Sequence, residues 1–261
     1  MTTTRQLGIV GKQAIALTLT VVGGFVDAVG YIALFQVFTA NMSGNSVHVG
    51  MYLGNLDLAN LARPVCAIVA YVLGVIITRL VMELAARSGF QRIASFTLTA
   101  EALLLFLFAR ATPGMHLGAI VDLSSPAYFS LVALLAFAMG VQTGTLTHIG
   151  LLTVYTTFVT GTLTKFSESL VRVLFWVWDQ LAANTSDIVG RGAKQKDVRE
   201  TLFLAAVWSC YVGGAVLGTV AKSRWELRAL YLPVGVLLVF VLIDAIRPIG
   251  VQEERHQTGV S

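Results

Sequence analysis

The chain has 261 residues, of which 56% are hydrophobic and only 12% are charged, and its formal net charge is +4. A soluble domain carries roughly twice that charged fraction, so the composition excludes a water-soluble protein and predicts an all-α integral membrane protein. The positive charge lies mainly in loops and tails, which indicates membrane topology and not a nucleic-acid partner.

Six apolar runs are long enough to cross a hydrocarbon layer about 30 Å thick, which takes about 20 helical residues. They lie at about 13–35, 59–85, 93–109, 127–149, 201–221 and 229–246. The first run is too long for the core of a signal peptide and lacks a cleavage site, so it is predicted to be a retained span. Two further helices are predicted at 41–55 and 160–181, and each follows a piece predicted to be extended, at 35–40 and 151–159.

The order of these elements repeats as span, extended piece, short helix, span, span. The predicted organisation is a lead at 1–12, a first repeat at 13–111, a connection at 112–125, a second repeat at 126–246 and a tail at 247–261. Cys66 and Gly74 are matched by Cys210 and Gly218 at the same spacing, although chance similarity among apolar helices is the alternative. Loop charges favour six crossings with both termini in the cytoplasm, although the basic 222–228 loop fits poorly. Three crossings in each repeat would make the second repeat inverted relative to the first.

Small polar clusters stand at the start of both short helices. They consist of Asn41, Ser43, Gly44 and Asn45 in the first copy and of Thr160, Gly161 and Thr162 in the second. If both helices are re-entrant, their unpaired N–H groups point inward and favour an anion or another acceptor. Ser43 and Thr160 are predicted N-caps, and Gly44 and Gly161 would let a ligand approach the backbone. The alternative is that both are ordinary capped packing helices.

Four further polar side chains are candidates for function, of which three lie in apolar runs and the fourth, Lys165, lies in the second short helix. Asp27 lies inside the first span, where an acid costs roughly 2.5–3.5 kcal/mol, so it should face the protein interior and have a partner. It is a candidate for proton coupling, or else a structural acid that ties the first span to the first cluster. Gln142 is predicted to take its place in the second copy, and Glu101 is a second proton-coupling candidate. Lys165 would neutralise an anionic ligand, pair with Asp27 or lie on an exposed face.

Motifs for other chemistry are missing from the sequence. His48 and His148 are single histidines without a second ligand at metal-binding spacing, and both cysteines lie in apolar runs. There is no phosphate-binding loop, dinucleotide fingerprint or nucleophile motif. We therefore expect no enzyme, no metal site and no cofactor.

The stretches FVDAVGYIALFQVFTANMSGNSV and AFAMGVQTGTLTHIGLLTVYTTFVTGTLTK resemble the YoaK family of bacterial membrane proteins, a domain of unknown function. The resemblance covers about residues 14–246 and implies a six-span protein of the bacterial inner membrane. The order of extended piece and half-helix is also similar, at the level of fold, to that of uracil and sulfate-type transporters.

Two functions are compatible with these patterns. The first is a secondary transporter or channel in the lipid bilayer that binds a small polar or anionic solute between two opposed half-helix N-termini, with proton coupling through Asp27 or Glu101. The second is a non-transporting membrane scaffold or accessory protein. The sequence leaves a homo-oligomer open.

Overall fold

A computed structural model describes residues 9–88, 93–111, 122–146, 159–182 and 195–246. Over these ranges the chain forms helices joined by short connections and contains no strand, which confirms the predicted all-α fold. The helices are α1 (Ile9–Ala33), α2 (Met42–Gly54), α3 (Leu58–Arg87), α4 (Ile93–Ala111), α5 (Pro126–Leu146), α6 (Val159–Ala182), α7 (Lys196–Trp225) and α8 (Tyr231–Ile246). A 3-10 helix, Glu226–Leu230, separates α7 from α8.

Five stretches of the described chain are long and apolar enough to cross a membrane. They are Gln13–Ala33, Leu58–Arg87, Ala94–Ala111, Pro126–Thr145 and Lys196–Ile246. The last stretch contains both α7 and α8, the two helices that the sequence predicted there as separate spans. Val159, predicted to be extended, is the first residue of α6, whereas the rest of that predicted piece, 151–158, lies outside the described residues.

Helices α1 and α5 form the centre of the molecule. Of the residues in their apolar stretches, 61% and 67% are buried, against 33% of those in the apolar stretch of α3. Helix α1 packs chiefly on α7, and α5 packs chiefly on α3, while α4 lies between α5 and α8. The shorter α2 packs on α3, and α6 packs on α7. The exposed apolar side chains of the outer helices, such as Leu80, Phe96 and Leu217, are suited to contact with lipid tails.

Glycines let two helix pairs cross with their backbones in contact. A Cβ added to Gly24 on α1 would lie 2.1 Å from the carbonyl oxygen of Tyr211, and one added to Gly214 on α7 would lie 2.1 Å from that of Val21. At the other crossing, a Cβ on Gly74 or Gly140 would lie 2.4 or 2.3 Å from a carbonyl oxygen of the facing helix. Packing at small residues is what holds helices together in lipid, so these glycines fix the two crossings.

Candidate functional site

Asp27 is the centre of a buried hydrogen-bond cluster. Its Oδ1 accepts from the backbone N–H of Thr39 at 2.9 Å, from the Thr39 hydroxyl at 3.2 Å and from the N–H of Ala40 at 2.8 Å. Its Oδ2 accepts from the Tyr211 hydroxyl at 2.7 Å. The carboxylate therefore joins α1 to the chain that follows it and to α7, which lies in the second half of the sequence. One interpretation of Asp27 predicted a tie to the first cluster; the observed bonds go instead to Thr39 and Ala40, which come immediately before it.

The helical conformation ends after α1, and the chain then folds back along this helix. Phe35 and Gln36 have φ values of 51° and 69°, a left-handed conformation that is uncommon for residues other than glycine. Because Asp27 lies six residues before the end of α1, its bonds to Thr39 and Ala40 place them about 9 Å back along the helix. We call residues 34–41 the break. Non-helical backbone at this depth needs partners within the protein.

Asn45 supplies those partners from the other side of the break. Its side-chain amide donates to the carbonyl oxygen of Phe38 at 2.8 Å, and its Oδ1 accepts from the N–H of Phe38 at 3.1 Å. Asn45 is fully buried. The break is thus held between a carboxylate on α1 and an amide on α2, both of which the sequence singled out.

The start of α2 differs from the prediction in two details. The N-cap is Asn41, whose Oδ1 accepts from the N–H of Gly44 at 3.3 Å and from the Ser43 hydroxyl at 2.7 Å. The N-cap role predicted for Ser43 is wrong, because Ser43 is already the second residue of the helix. A Cβ on Gly44 would lie 2.7 Å from the ring of Phe38, so a side chain of the break fills the space beside this glycine.

The second cluster repeats the burial pattern of the first. Thr160 and Gly161 are exposed and Thr162 is buried, as Ser43 is exposed and Asn45 is buried. The N-cap role predicted for Thr160 is also wrong, since this residue is the second of α6.

The two clusters do not meet. Helix α2 packs on α3 and α6 packs on α7, and no Cα atoms of α2 and α6 lie within 8 Å of each other. The two helix starts are therefore not in direct contact with each other. Lys165 is exposed on α6, and Asp27 takes its hydrogen bonds from Thr39, Ala40 and Tyr211, so the predicted pairing of Lys165 with Asp27 is not observed.

A second tyrosine link lies at the crossing of α3 and α5. The Tyr71 hydroxyl lies 3.0 Å from Oγ1 of Thr143, and Tyr71 precedes Gly74 by three residues, as Tyr211 precedes Gly214. Thr143 follows Gly140 by three residues, as Asp27 follows Gly24. At this crossing Thr143, one position after Gln142, contacts a tyrosine hydroxyl as Asp27 does at the α1–α7 crossing. The sequence signal for this match is the shared Tyr-x-x-Gly spacing.

Glu101 and Gln142 are buried with polar atoms that lack partners. Both carboxylate oxygens of Glu101 and Oε1 of Gln142 have no hydrogen-bond partner in the described part of the chain. The Gln142 side-chain amide donates to the carbonyl oxygen of Leu19 on α1 at 2.8 Å. Such unsatisfied atoms are uncommon and costly in folded proteins.

Asp244 is a buried acid that the sequence analysis missed. It accepts a hydrogen bond from the N–H of Ser95 at 3.0 Å and another from the Ser95 hydroxyl, and so joins α8 to α4. It lies near the end of the last apolar run, where an acid is expected to reach the membrane surface.

Within the described ranges, no group of three or more histidine, cysteine, aspartate or glutamate side chains could hold a metal ion. The ring of His48 lies between those of Phe38 and Tyr52, at 6.1 and 6.2 Å.

The fold and these buried links define a multi-pass, all-α membrane protein. Residues 15–243 match the family described as "Protein of unknown function (DUF1275)", and the chain belongs to this family. It is 27% identical over 239 residues to the UPF0700 transmembrane protein YoaK of Bacillus subtilis (strain 168), an alignment that covers 90% of this chain and 94% of that protein. The resemblance to the YoaK family is thus confirmed. No solved structure matches the chain.

Proposed function

We propose that this protein is a proton-coupled secondary carrier of a small polar or anionic solute. The observation that carries the proposal is the Asp27 cluster, in which one buried carboxylate holds a broken membrane element and also binds a helix of the other half. Acids inside membrane spans are costly and are found mainly on ion and substrate pathways.

The packing supports two inverted repeats, each ending in a pair of spans. Helices α1 to α4 correspond to α5 to α8, so the α1–α7 crossing in this scheme is the counterpart of the α5–α3 crossing. Both crossings combine close glycines with a tyrosine link. Because each crossing joins one half to the other, a movement of one half against the other would act on both, as in carriers built from inverted repeats.

The geometry at Oδ2 of Asp27 supports the proposed proton coupling. The Tyr211 hydroxyl donates to this oxygen at 2.7 Å. A proton on Oδ2 would have to break this bond or reverse its direction, while the bonds at Oδ1 would continue to hold the break. In either case the α1–α7 link would lose its charge-assisted hydrogen bond, which would weaken it. Glu101 is the second proton-coupling candidate, since no donor among the described residues stabilises its carboxylate.

The protein groups that we propose to bind the solute are the polar clusters at the starts of α2 and α6, together with Gln142. Because α2 and α6 do not touch, we assign the clusters to two ends of one pathway, with Ser43 and Thr160 exposed. Gln142 lies between them in the sequence and is buried beside α1, where its Oε1 has no partner among the described residues. It is the group available to a solute in the centre of the protein.

Proton flux in proteoliposomes tests this function. Vesicles that contain a trapped pH-sensitive dye are given inward gradients of succinate, nitrate, sulfate or phosphate. We expect at least one anion to drive proton movement, and Asp27→Asn and Tyr211→Phe to reduce the initial rate by about tenfold or more.

The matched control is Tyr71→Phe, which removes the same hydroxyl at the equivalent crossing, where its partner is the uncharged Thr143. We expect its rate to stay within about twofold of wild type. If Tyr71→Phe and Tyr211→Phe lose the same activity, coupling through Asp27 is wrong.

The second candidate is a non-transporting scaffold or accessory protein. It is favoured by the same carboxylate, because both oxygens of Asp27 are already satisfied by donors of its own chain. The scaffold predicts no flux for any anion in the panel, together with a large loss of thermal stability in Asp27→Asn.

A further inference from the structure

The junction of α7 and α8 contains an open cavity with two arginines on its wall. The cavity has a volume of about 520 Å³ and is lined by Arg224, Trp225, Glu226, Arg228, Tyr231 and Leu232. This volume falls in the range of sites that bind small molecules. No ion pair or hydrogen bond to another described side chain engages Arg224 or Arg228. Their donors are therefore available to a ligand.

The backbone creates this concave shape. Helix α7 ends at Trp225, and its C-cap Glu226, with a φ of 52° and a ψ of −136°, turns the chain into the short 3-10 helix that leads to α8. A left-handed conformation at a glutamate costs free energy and persists only where the surroundings fix it. Buried Ala229 and Leu230 anchor the inner side of this turn and leave the arginines on its outer side.

The cavity lies at the depth expected for lipid headgroups. The faces of α7 and α8 that lead away from it expose apolar side chains, including Leu217, Val220 and Leu238. Trp225 and Tyr231, at 54% and 39% exposure, stand at the ends of these faces. Tryptophan and tyrosine concentrate where the hydrocarbon layer meets the headgroups.

The excess of basic residues at this junction is not explained by the six-span arrangement predicted from the sequence. Lys222, Arg224 and Arg228 outnumber Glu226 there, yet in the six-span arrangement this segment faces away from the cytoplasm, where basic residues are disfavoured. A bound anion would account for the excess.

We propose that this cavity binds the phosphate group of an anionic phospholipid with a hydroxylated headgroup, such as phosphatidylglycerol. Arginine guanidinium groups bind phosphate oxygens in a bidentate manner, and the aromatic rings and Leu232 would contact the upper part of the acyl chains. The Glu226 carboxylate is an acceptor suited to the glycerol hydroxyls. This site does not depend on the proposed transport activity.

Native mass spectrometry of the full chain in neutral detergent tests the site with three probes: phosphatidylglycerol, phosphatidylcholine and inorganic phosphate. Wild type should bind phosphatidylglycerol in preference to phosphatidylcholine. The double variant Arg224→Gln/Arg228→Gln should bind phosphatidylglycerol about thirtyfold more weakly, given about 1 kcal/mol for each of the two basic residues at a membrane surface. The control Arg87→Gln/Arg110→Gln removes two exposed arginines elsewhere and should bind like wild type.

Two results would overturn the proposal. Equal binding of phosphatidylglycerol by wild type and by the Arg224/Arg228 variant would mean that the cavity is not the site. Inorganic phosphate that binds wild type and displaces the lipid at equal concentration would assign the cavity to free phosphate and exclude a lipid. Elution volume and helical content, measured for each variant, show that a loss of binding is not a loss of fold.

Discussion

Three buried acids, Asp27, Glu101 and Asp244, stand in different environments although all lie in apolar helices. Asp27 and Asp244 accept hydrogen bonds from neighbouring elements, whereas Glu101 has no partner among the described residues. A buried polar group without a partner costs free energy, while one with partners holds elements together. The three acids should therefore respond differently to substitution.

Replacement of Glu101 by methionine, which has a similar length and no charge, should stabilise the protein by about 1–2 kcal/mol, since it removes an unsatisfied buried group. The matched change Asp244→Leu should destabilise it by about 1–3 kcal/mol, because it leaves the donors of Ser95 without their acceptor. Thermal unfolding of purified protein in detergent measures both. A loss of stability in Glu101→Met would contradict the absence of a stabilising partner.

Single residues show what the sequence can and cannot reveal. An acid in an apolar run is conspicuous, so Asp27 and Glu101 could be identified without a structure. Their environments could not, because the Tyr211 hydroxyl that binds Asp27 is 184 positions away in the chain. The exact N-cap was also missed, since Asn41 and Ser43 are both good capping types and only the helix start distinguishes them.

At the scale of elements, the α1–α7 crossing depends on glycines that allow backbone contact. Gly214→Ala would place a Cβ 2.1 Å from the carbonyl oxygen of Val21, and the helices must then move apart. Overpacking of this kind costs about 1–3 kcal/mol. Its neighbour Gly213 is the control, because a Cβ there meets nothing within 4 Å and should leave stability unchanged or raise it by about 0.5–1 kcal/mol.

Thermal unfolding and expression level of the two alanine variants test this difference. If Gly213→Ala and Gly214→Ala are equally stable, the crossing is looser than the structure shows, and the Asp27–Tyr211 link beside it has no rigid support.

The elements themselves were largely predictable, because length and hydropathy define helices that cross a bilayer. The break at 34–41 was visible as a loss of helical pattern before the first polar cluster. Helix α7, however, begins at Lys196 and not at 201, because tertiary contacts extend it. Arg172 on α6 lies 3.0 Å from the Asp197 carboxylate in an ion pair that no local pattern indicates.

At the scale of the whole molecule, the carrier proposal requires that the two halves have opposite orientations in the membrane. The packing is compatible with this, because α1 and α5 are both central and each crosses the third helix of the other half. The expected pocket between α2 and α6 was an inference from symmetry alone. Symmetry relates equivalent elements but does not fix the distance between them, and here they do not touch.

Cysteine labelling tests the inverted arrangement. In a background without Cys66 and Cys210, single cysteines are placed at Ser43 and Thr160, both exposed, and treated with a thiol reagent that cannot cross the membrane. Ser88→Cys after α3 and Ser124→Cys before α5 mark the two sides of the membrane. Because an inverted second half must present its short helix to the other side, we expect Ser43→Cys to be labelled from the same side as Ser124→Cys, and Thr160→Cys from the same side as Ser88→Cys.

If Ser43→Cys and Thr160→Cys are labelled from one side, the halves are not inverted. The Asp27 cluster would then have no counterpart across the membrane, and the scaffold would be the better account of this protein.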